Sequence, residues 1–229
     1  MAIVKKYSSE IVSVLECTPG TYTLLIKSLV GKFKYSPGQF LHLSLHEYDP
    51  SEEWPESRCF SMQSSPQEDF IKLTYSVKGN FTRKMAEQLN FGSKITLKLP
   101  FGELFTQEHS KIETVFISGG TGITPFLSLF TNSSFNEYQS PRLYAGFRNK
   151  ELNLYQKEIA FAKEINSSFE CTFVYQDKEG PLNISEILKK NNIKNTFFIS
   201  GPPTMIKIFT EYLISNNISK NQIKTDDWE

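Results

Sequence analysis

Cysteine is scarce in this 229-residue chain: Cys17, Cys59 and Cys171 lie far apart, and no CxxC pair occurs. That spacing argues against zinc ribbons and iron–sulfur clusters. Net charge is also missing. The 25 basic and 25 acidic residues cancel, so there is no global signature of a nucleic-acid or polybasic membrane binder. No apolar run approaches the length of a membrane span, and the segment from Met1 to Cys17 has lysines but no continuous apolar signal region. The expectation is a protein of the cytoplasm, a reducing compartment, with no membrane insertion and no nucleic-acid partner. Histidine is rare too. His42 and His46 fall on one strand face about 13 Å apart at ~3.3 Å per residue, too far to share a metal. His109 falls in a linker, so no metal site is expected.

Aromatic residues, by contrast, are plentiful: 19 Phe and 10 Tyr, within a hydrophobic fraction of 39%. The chain changes rhythm near residue 105. Before it, short alternating segments read as strands: Tyr22 to Lys27, Gln39 to His46, Phe70 to Val77 and Lys94 to Leu99. Turn signals separate them, such as Pro37-Gly38, Phe91-Gly92 and Pro100-Phe101-Gly102. One helix, Thr82 to Leu89, interrupts them. This pattern predicts a small antiparallel β-barrel over residues 1–107. From 108 to 229 strands and helices alternate, which predicts an α/β domain with a parallel sheet. Its strands are Glu113–Ser118, Arg142–Phe147, Phe169–Gln176 and Thr196–Ser200. Leu152, Tyr155, Ile159 and Ala162 share one helical face, Ile184, Ile187 and Leu188 another, and a last helix runs from Thr204 to Ser215.

Four segments carry chemistry. Gly119-Gly120-Thr121-Gly122-Ile123-Thr124-Pro125 lies where a strand breaks into glycines and restarts as a helix. It is neither a Walker loop nor a standard GxGxxG, but glycines let backbone approach a pyrophosphate, and the helix start at Thr124 or Pro125 turns amides toward the anion. In Arg58-Cys59-Phe60-Ser61 an arginine fork suits a pyrophosphate. Phe60 points the same way along the strand and can lie against a flat ring, and Ser61 offers a hydroxyl to a ring nitrogen. The same tetrapeptide also reads as an ordinary strand with a surface Arg and a core Phe. Tyr75-Ser76-Val77-Lys78-Gly79-Asn80-Phe81-Thr82 ends a strand and starts a helix, an anion site or a plain cap. Ser200-Gly201-Pro202-Pro203-Thr204-Met205 closes the last parallel strand at the edge where ligands collect in open α/β sheets.

Taken in order, these segments resemble the ferredoxin–NADP⁺ reductase superfamily of flavoproteins, over nearly the whole chain. Arg58, Phe60 and Ser61 match its Arg-x-Tyr/Phe-Ser motif; Gly79 and Thr82 match Gly-x-x-Ser/Thr. Gly119 to Pro125 matches Gly-Gly-x-Gly-Ile-Thr-Pro throughout. Gly201, Pro202, Pro203 and Met205 match Cys-Gly-Pro-Pro-x-Met, with Ser200 in place of the cysteine. Pro100-Phe101-Gly102 is similar to the Gly-Pro-x-Gly-x-Phe segment, with Leu99 at its first glycine. The tail from Ile223 to Trp228 is similar to that of bacterial members.

The resemblance implies an NAD(P)H-dependent reductase that moves a hydride to FAD and passes electrons to a separate acceptor. That acceptor would be a ferredoxin, a flavodoxin, an oxygenase component or a small molecule. It implies that Arg58 pairs with the FAD pyrophosphate, Phe60 lies against the isoalloxazine and Ser61 bonds near its reactive nitrogen. Cys59 and Phe81 lie within the same motifs. Tyr75, Ser76 and Val77 would give backbone contacts to the flavin, and Gly79 and Thr82 would hold its phosphate. Gly119 to Pro125 would hold the nicotinamide dinucleotide, Gly201 to Pro203 would shape the nicotinamide pocket, and Ser61 and Ser200 would be catalytic. Trp228 is a candidate to fold over the flavin and equally reads as a surface residue. Arg148, just past a strand end in a stretch without Asp or Glu, is a candidate for the 2′-phosphate and leans to NADPH, while the mixed charge of Gln176-Asp177-Lys178-Glu179 at the next strand end leaves NADH open. Two other functions fit less of the pattern. One is a reductase of free flavin or ferric chelates. The other is a non-catalytic flavin- or nucleotide-binding regulatory subunit.

Overall fold

The computed structural model describes residues 3–226. The first half is an antiparallel sheet of six strands: β1 (Lys5–Thr18), β2 (Thr21–Ser28), β3 (Phe40–Ser44), β4 (Ser57–Ser61), β5 (Ile71–Ser76) and β6 (Lys94–Phe101), in the order β4-β3-β6-β1-β2-β5. The two outer strands approach just beyond β4, where Gln63 N–H donates to the Lys72 carbonyl (2.9 Å) and Lys72 N–H to Ser64 Oγ (2.9 Å). That curls the sheet into the expected barrel. Its interior takes one face of each strand, with Leu41, Leu43, Leu73, Ile95 and Leu97 fully buried. Helix α1 (Asn80–Gln88) plugs one end with Phe81 and Met85.

Several boundaries differ from the sequence reading, each for a physical reason. The longest strand, β1, was not read at all. Its buried positions Tyr7, Ser9 and Ile11 include a serine, and a bulge between Ile11 and Ser13 breaks the alternation. Strand β6 runs through Pro100 and Phe101 instead of turning there. His46 lies beyond the end of β3.

The second half is a five-stranded parallel sheet ordered β11-β10-β7-β8-β9. Its strands are β7 (Val115–Gly119), β8 (Arg142–Phe147), β9 (Glu170–Tyr175), β10 (Phe197–Ser200) and β11 (Ile223–Thr225). Side chains alternate between two helical layers. Phe116 and Phe198 pack with α2 (Thr124–Phe130) and α3 (Gln156–Ile165). Val115, Ile117, Phe197 and Ile199 pack with α5 (Ile184–Lys189) and α6 (Pro203–Ser215). Between them, α4 (Gln176–Glu179) is a helical turn where the sequence reading continued a strand. Glu113 has φ +51, a left-handed turn conformation, so β7 starts two residues later than expected. Leu152 sits in a separate 3-10 turn and Tyr155 is the N-cap of α3, though both still pack into that layer's core. Leu104 and Phe105, in the connection between the halves, also pack into the second core.

Polar contacts hold the halves together. Gly38 N–H donates to Ser128 Oγ (2.7 Å), Asn132 Nδ2 to Ser65 Oγ (3.0 Å), and Glu158 accepts from both Gln63 (3.2 Å) and Lys72 (3.1 Å). His109 is more than a linker residue: its ring nitrogens meet the Gln107 carbonyl and the Tyr138 hydroxyl, and burial holds its pKa below the usual imidazole value.

Candidate functional site

The chain order of the parallel sheet reverses at β7. It leaves β7 toward β8 and β9, then returns to β10 on the other side. The crevice at the carboxyl ends of β7 and β10 is therefore the topological switch point, where open α/β sheets bind ligands. Both glycine segments of this half end there, because Ser118 and Ser200 are in register. A 3-10 turn, Gly120–Ile123, leads into α2. Gly120 has φ +55, and a Cβ there would meet nothing within 4 Å, so the ligand side of this turn is open. Gly122 is the opposite: a Cβ would lie 2.5 Å from Gly201 Cα and 2.6 Å from the Ser200 carbonyl oxygen. Its missing side chain lets the two loops touch backbone to backbone. The Met205 thioether closes over Gly119 and Gly201, and Thr124 Oγ1 donates to the Thr121 carbonyl (2.9 Å). The sequence reading gave all these glycines to the ligand. The structure divides them.

On the barrel side, β4 carries Arg58, Cys59, Phe60 and Ser61 in one line. The Phe60 ring meets Tyr75 edge-on at 6.1 Å between centroids, and the buried Tyr75 hydroxyl has no hydrogen-bond partner. Past Ser76 and Val77, the chain reaches Gly79, the N-cap of α1. Having no side chain, Gly79 leaves the first amides of that helix without a side-chain acceptor, and no acidic residue stands in its first turn. The Thr82 hydroxyl accepts from the Lys78 and Gly79 amides (2.9 and 3.1 Å), which shapes the turn. The Arg58 guanidinium lies 5.2 Å from the Phe81 ring centre, at the same helix start. Cys59 faces the other side of β4, beside His42 (Sγ–Nε2 3.5 Å), and burial pushes its thiol pKa up.

The two halves meet at one carboxylate. Ser200 Oγ donates to Asp226 Oδ2 at 3.2 Å and Ser61 Oγ to the same oxygen at 3.5 Å. Ser61 is 6% and Ser200 2% exposed, so water is nearly excluded from both hydroxyls. Asp226 is fixed by its own N–H, which donates to the Ile199 carbonyl (3.0 Å) just after β11. The sequence reading brought Ser61 and Ser200 forward separately and missed Asp226. Asp226 lies in the tail from Ile223 to Trp228, but its role comes only from contacts with distant segments; Trp228 lies outside the described residues. Arg148 stands exposed after β8 at the same sheet edge, with its carbonyl accepting from Asp177 N–H (3.0 Å), and takes no part in the serine–carboxylate cluster.

These residues fit the two dinucleotides. The uncapped start of α1 next to Arg58 and the open face of Gly120 are two places that two pyrophosphates would satisfy, and the half-buried Phe60 offers a flat ring a surface beside the first.

The chain matches the family model of an FAD-binding domain over residues 9–145 and that of an oxidoreductase NAD-binding domain over residues 116–211. It is 25% identical over 239 residues to the reductase component of propane 2-monooxygenase from Mycolicibacterium goodii, covering 96% of this chain and 67% of that protein. It spans between about half and two thirds of the length of the curated relatives that match along most of it. Among solved structures it is similar to a cytochrome P450 reductase from Amycolatopsis (TM-score 0.83, 18% identity, covering 98% of this chain and 70% of that one). It is also similar to a ferredoxin NADP⁺ reductase from Neisseria gonorrhoeae with bound FAD and NADP (TM-score 0.78, 22% identity, 99% of each chain). At those identities the two likenesses speak for the fold.

Proposed function

The chain belongs to the ferredoxin–NADP⁺ reductase superfamily, an FAD-binding domain followed by an oxidoreductase NAD-binding domain, and from that premise we propose that it is an NAD(P)H-dependent, FAD-containing reductase feeding a separate electron acceptor. Residues 1–107 would form the flavin half and 108–229 the nicotinamide half. When bound, FAD and the nicotinamide supply the redox chemistry, taking up two electrons together and giving them out to the acceptor. The chain's own task is positioning and charge. One observation carries the reading: a single carboxylate oxygen of Asp226 receives hydroxyls from Ser61 of the flavin motif and Ser200 of the nicotinamide motif. That contact places the two motifs side by side.

Each residue then has a role. Arg58 and the first amides of α1 would hold the FAD pyrophosphate, and Phe60 would bound one face of its ring. Tyr75, Ser76 and Val77 would line its edge. Gly119 to Pro125 would hold the nicotinamide dinucleotide, with Gly120 giving the close approach. Gly201 to Pro203, backed by Met205, would shape the nicotinamide site. Asp226 would orient both hydroxyls and hold a proton at Oδ2 during turnover. Ser200 keeps a small polar group where relatives of this family carry cysteine.

Arg148 is proposed to meet the 2′-phosphate of NADPH. The acceptor is proposed to be an oxygenase component or another small electron carrier; the likeness to a monooxygenase reductase component supports this choice. No helix among the described residues is long and apolar enough to cross a membrane. The three cysteines are free, which supports a cytoplasmic setting.

The test is an anaerobic titration of the FAD-loaded protein with NADPH and, separately, NADH, following the flavin absorbance. Bleaching by NADPH, with Arg148→Ala raising the NADPH KM about tenfold, the scale of one lost charge-assisted hydrogen bond, and leaving NADH unaffected, is the expected result. A flavin that neither donor bleaches would sink the reductase reading. Equal effects of Arg148→Ala on both donors would sink the role of that residue alone.

A further inference from the structure

From Ser61 to Gln67 every second residue makes a side-chain hydrogen bond to the other half of the protein. Ser61 donates to Asp226 (3.5 Å), Gln63 to Glu158 (3.2 Å) and Gln67 to Ser133 (2.9 Å), while Ser65 accepts from Asn132 (3.0 Å). Outside the serine–carboxylate cluster, only the Gln63 contact ends on a charged group. Its partner Glu158 stands on α3, and the same carboxylate oxygen also accepts from Lys72 of β5 at 3.1 Å. Gln63 itself is buried.

The barrel holds the Gln63 amide in one sense. Its Oε1 accepts from Thr74 Oγ1 at 2.7 Å. Thr74 Oγ1 lies 2.9 Å from Thr23 Oγ1, and Cys17 Sγ lies 3.4 Å from that same oxygen of Thr23. With the Thr74 proton given to Gln63, Thr23 donates to Thr74 and the Cys17 thiol to Thr23. Every donor in the row therefore points from the barrel toward α3, and the row ends on a carboxylate that only accepts. Bonds aligned in this way reinforce one another. Turning the amide over would set its oxygen against the Glu158 carboxylate.

We propose that Gln63 is a positioning residue for hydride transfer: clamped to Glu158, it fixes the angle at which the nicotinamide half meets the flavin half. This rests on the reductase reading above. A body held only at Asp226 could pivot about that point. Gln63 follows Ser61 by two residues, at most about 7 Å of chain, yet it grips α3 and not the tail after β11. One short segment of the flavin half thus holds two separate elements of the other. α3 shares its core with α2, whose first residue is Thr124 of the nicotinamide loop, so a tilt of α3 passes to that loop. The contacts proposed for each cofactor lie within its own half. Losing the clamp should therefore slow transfer and leave both affinities in place.

The test is an exchange of partners on the full chain. Gln63→Glu sets one carboxylate against another. Adding Glu158→Gln restores one amide facing one carboxylate, with Thr74 still donating. Gln63→Met, of similar volume and without hydrogen bonds, stands in if the charged variant does not fold, which circular dichroism reports. FAD affinity is read from flavin fluorescence and the reduction rate from anaerobic mixing with increasing NADPH. Deuterium uptake of residues 62–74 and of α3 is followed in the protein without cofactors. In Gln63→Glu the maximal reduction rate should fall about tenfold, within the ~100-fold that a displacement of about 1 Å can cost, with FAD affinity and the half-saturating NADPH concentration changed by less than about twofold. Deuterium uptake should quicken, and the double exchange should return both rate and uptake toward wild type. A wild-type maximal rate despite faster uptake would make the contact a structural tie, and the inference would fall alone. So would a loss of FAD affinity, or a double exchange that rescues nothing. A wild-type flavin that neither NADPH nor NADH bleaches would remove the reductase reading and this inference with it.

Discussion

The chain turns from strand through glycine into helix at Gly79 before α1, at Gly119 to Gly122 before α2 and at Gly201 before α6, and the first two of these turns use glycine in opposite ways. At Gly79 a side chain would meet nothing within 4 Å, and φ is −148, an extended value open to any residue. The missing side chain there leaves space outside the protein. At Gly122 it leaves space inside, since a Cβ would sit 2.5 Å from the backbone of Gly201. On the proposed reading the first turn would serve a ligand alone, whereas the second is first a joint between two loops and is open on its outer side only at Gly120. The same residue pattern thus leaves open space in one place and meets a packing constraint in the other.

The sharpest way to break this comparison is Gly122→Ala. The contact is with backbone, which cannot swing away as a side-chain tip would. The two loops must separate, at a cost of about 3 kcal/mol in folding stability, at the upper end for overpacking. Ser200 moves with Gly201, so its contact with Asp226 should loosen as well. Urea unfolding and an NADPH titration of the same variant report the two effects. A variant as stable as wild type would mean that the loops part freely and that Gly122, like Gly79, serves the ligand side.

Asp226→Asn separates joint from chemistry. Asparagine keeps a carbonyl acceptor for Ser61 and Ser200 but cannot hold a proton as a carboxylate does. Stability and FAD affinity should stay near wild type, while the rate of flavin reduction falls about 100-fold, the scale of one lost acid–base group. An unchanged rate would make Asp226 a tie between the halves and nothing more.

Asp226 also shows where reading from sequence runs out. The glycine, arginine and serine motifs were legible because local chemistry demands those residues near one another in the chain. The barrel and the parallel sheet were legible from the period of their apolar residues, as in Leu41, Leu43 and Leu45 or the helical set Tyr155, Ile159 and Ala162. Asp226 acts on Ser61 across 165 positions, and on Ser200 because β11 pairs beside β10. Nothing within its own segment announces that. β1 was missed for a related reason: its bulge at Ile11 and Ser13 destroys the alternation on which a strand is recognised, and its register is set by β2 and β6.

The mildest test returns to the first turn. Gly79→Ala places a methyl group in open space at the N-cap of a nine-residue helix. Alanine is a poorer N-cap than glycine, so stability should fall, but by less than about 1 kcal/mol. The fold has no other stake in that position. The Thr82 hydroxyl would still receive the Lys78 and Gly79 amides, and Arg83 N–H would still reach the residue 79 carbonyl. What should change is flavin affinity, because the methyl group stands where an anion would approach the first amides of α1. A several-fold weaker FAD complex with a nearly unchanged unfolding curve would complete the contrast with Gly122. Wild-type FAD affinity in Gly79→Ala would mean that the space outside this turn is not used, and would move the phosphate toward Arg58 alone.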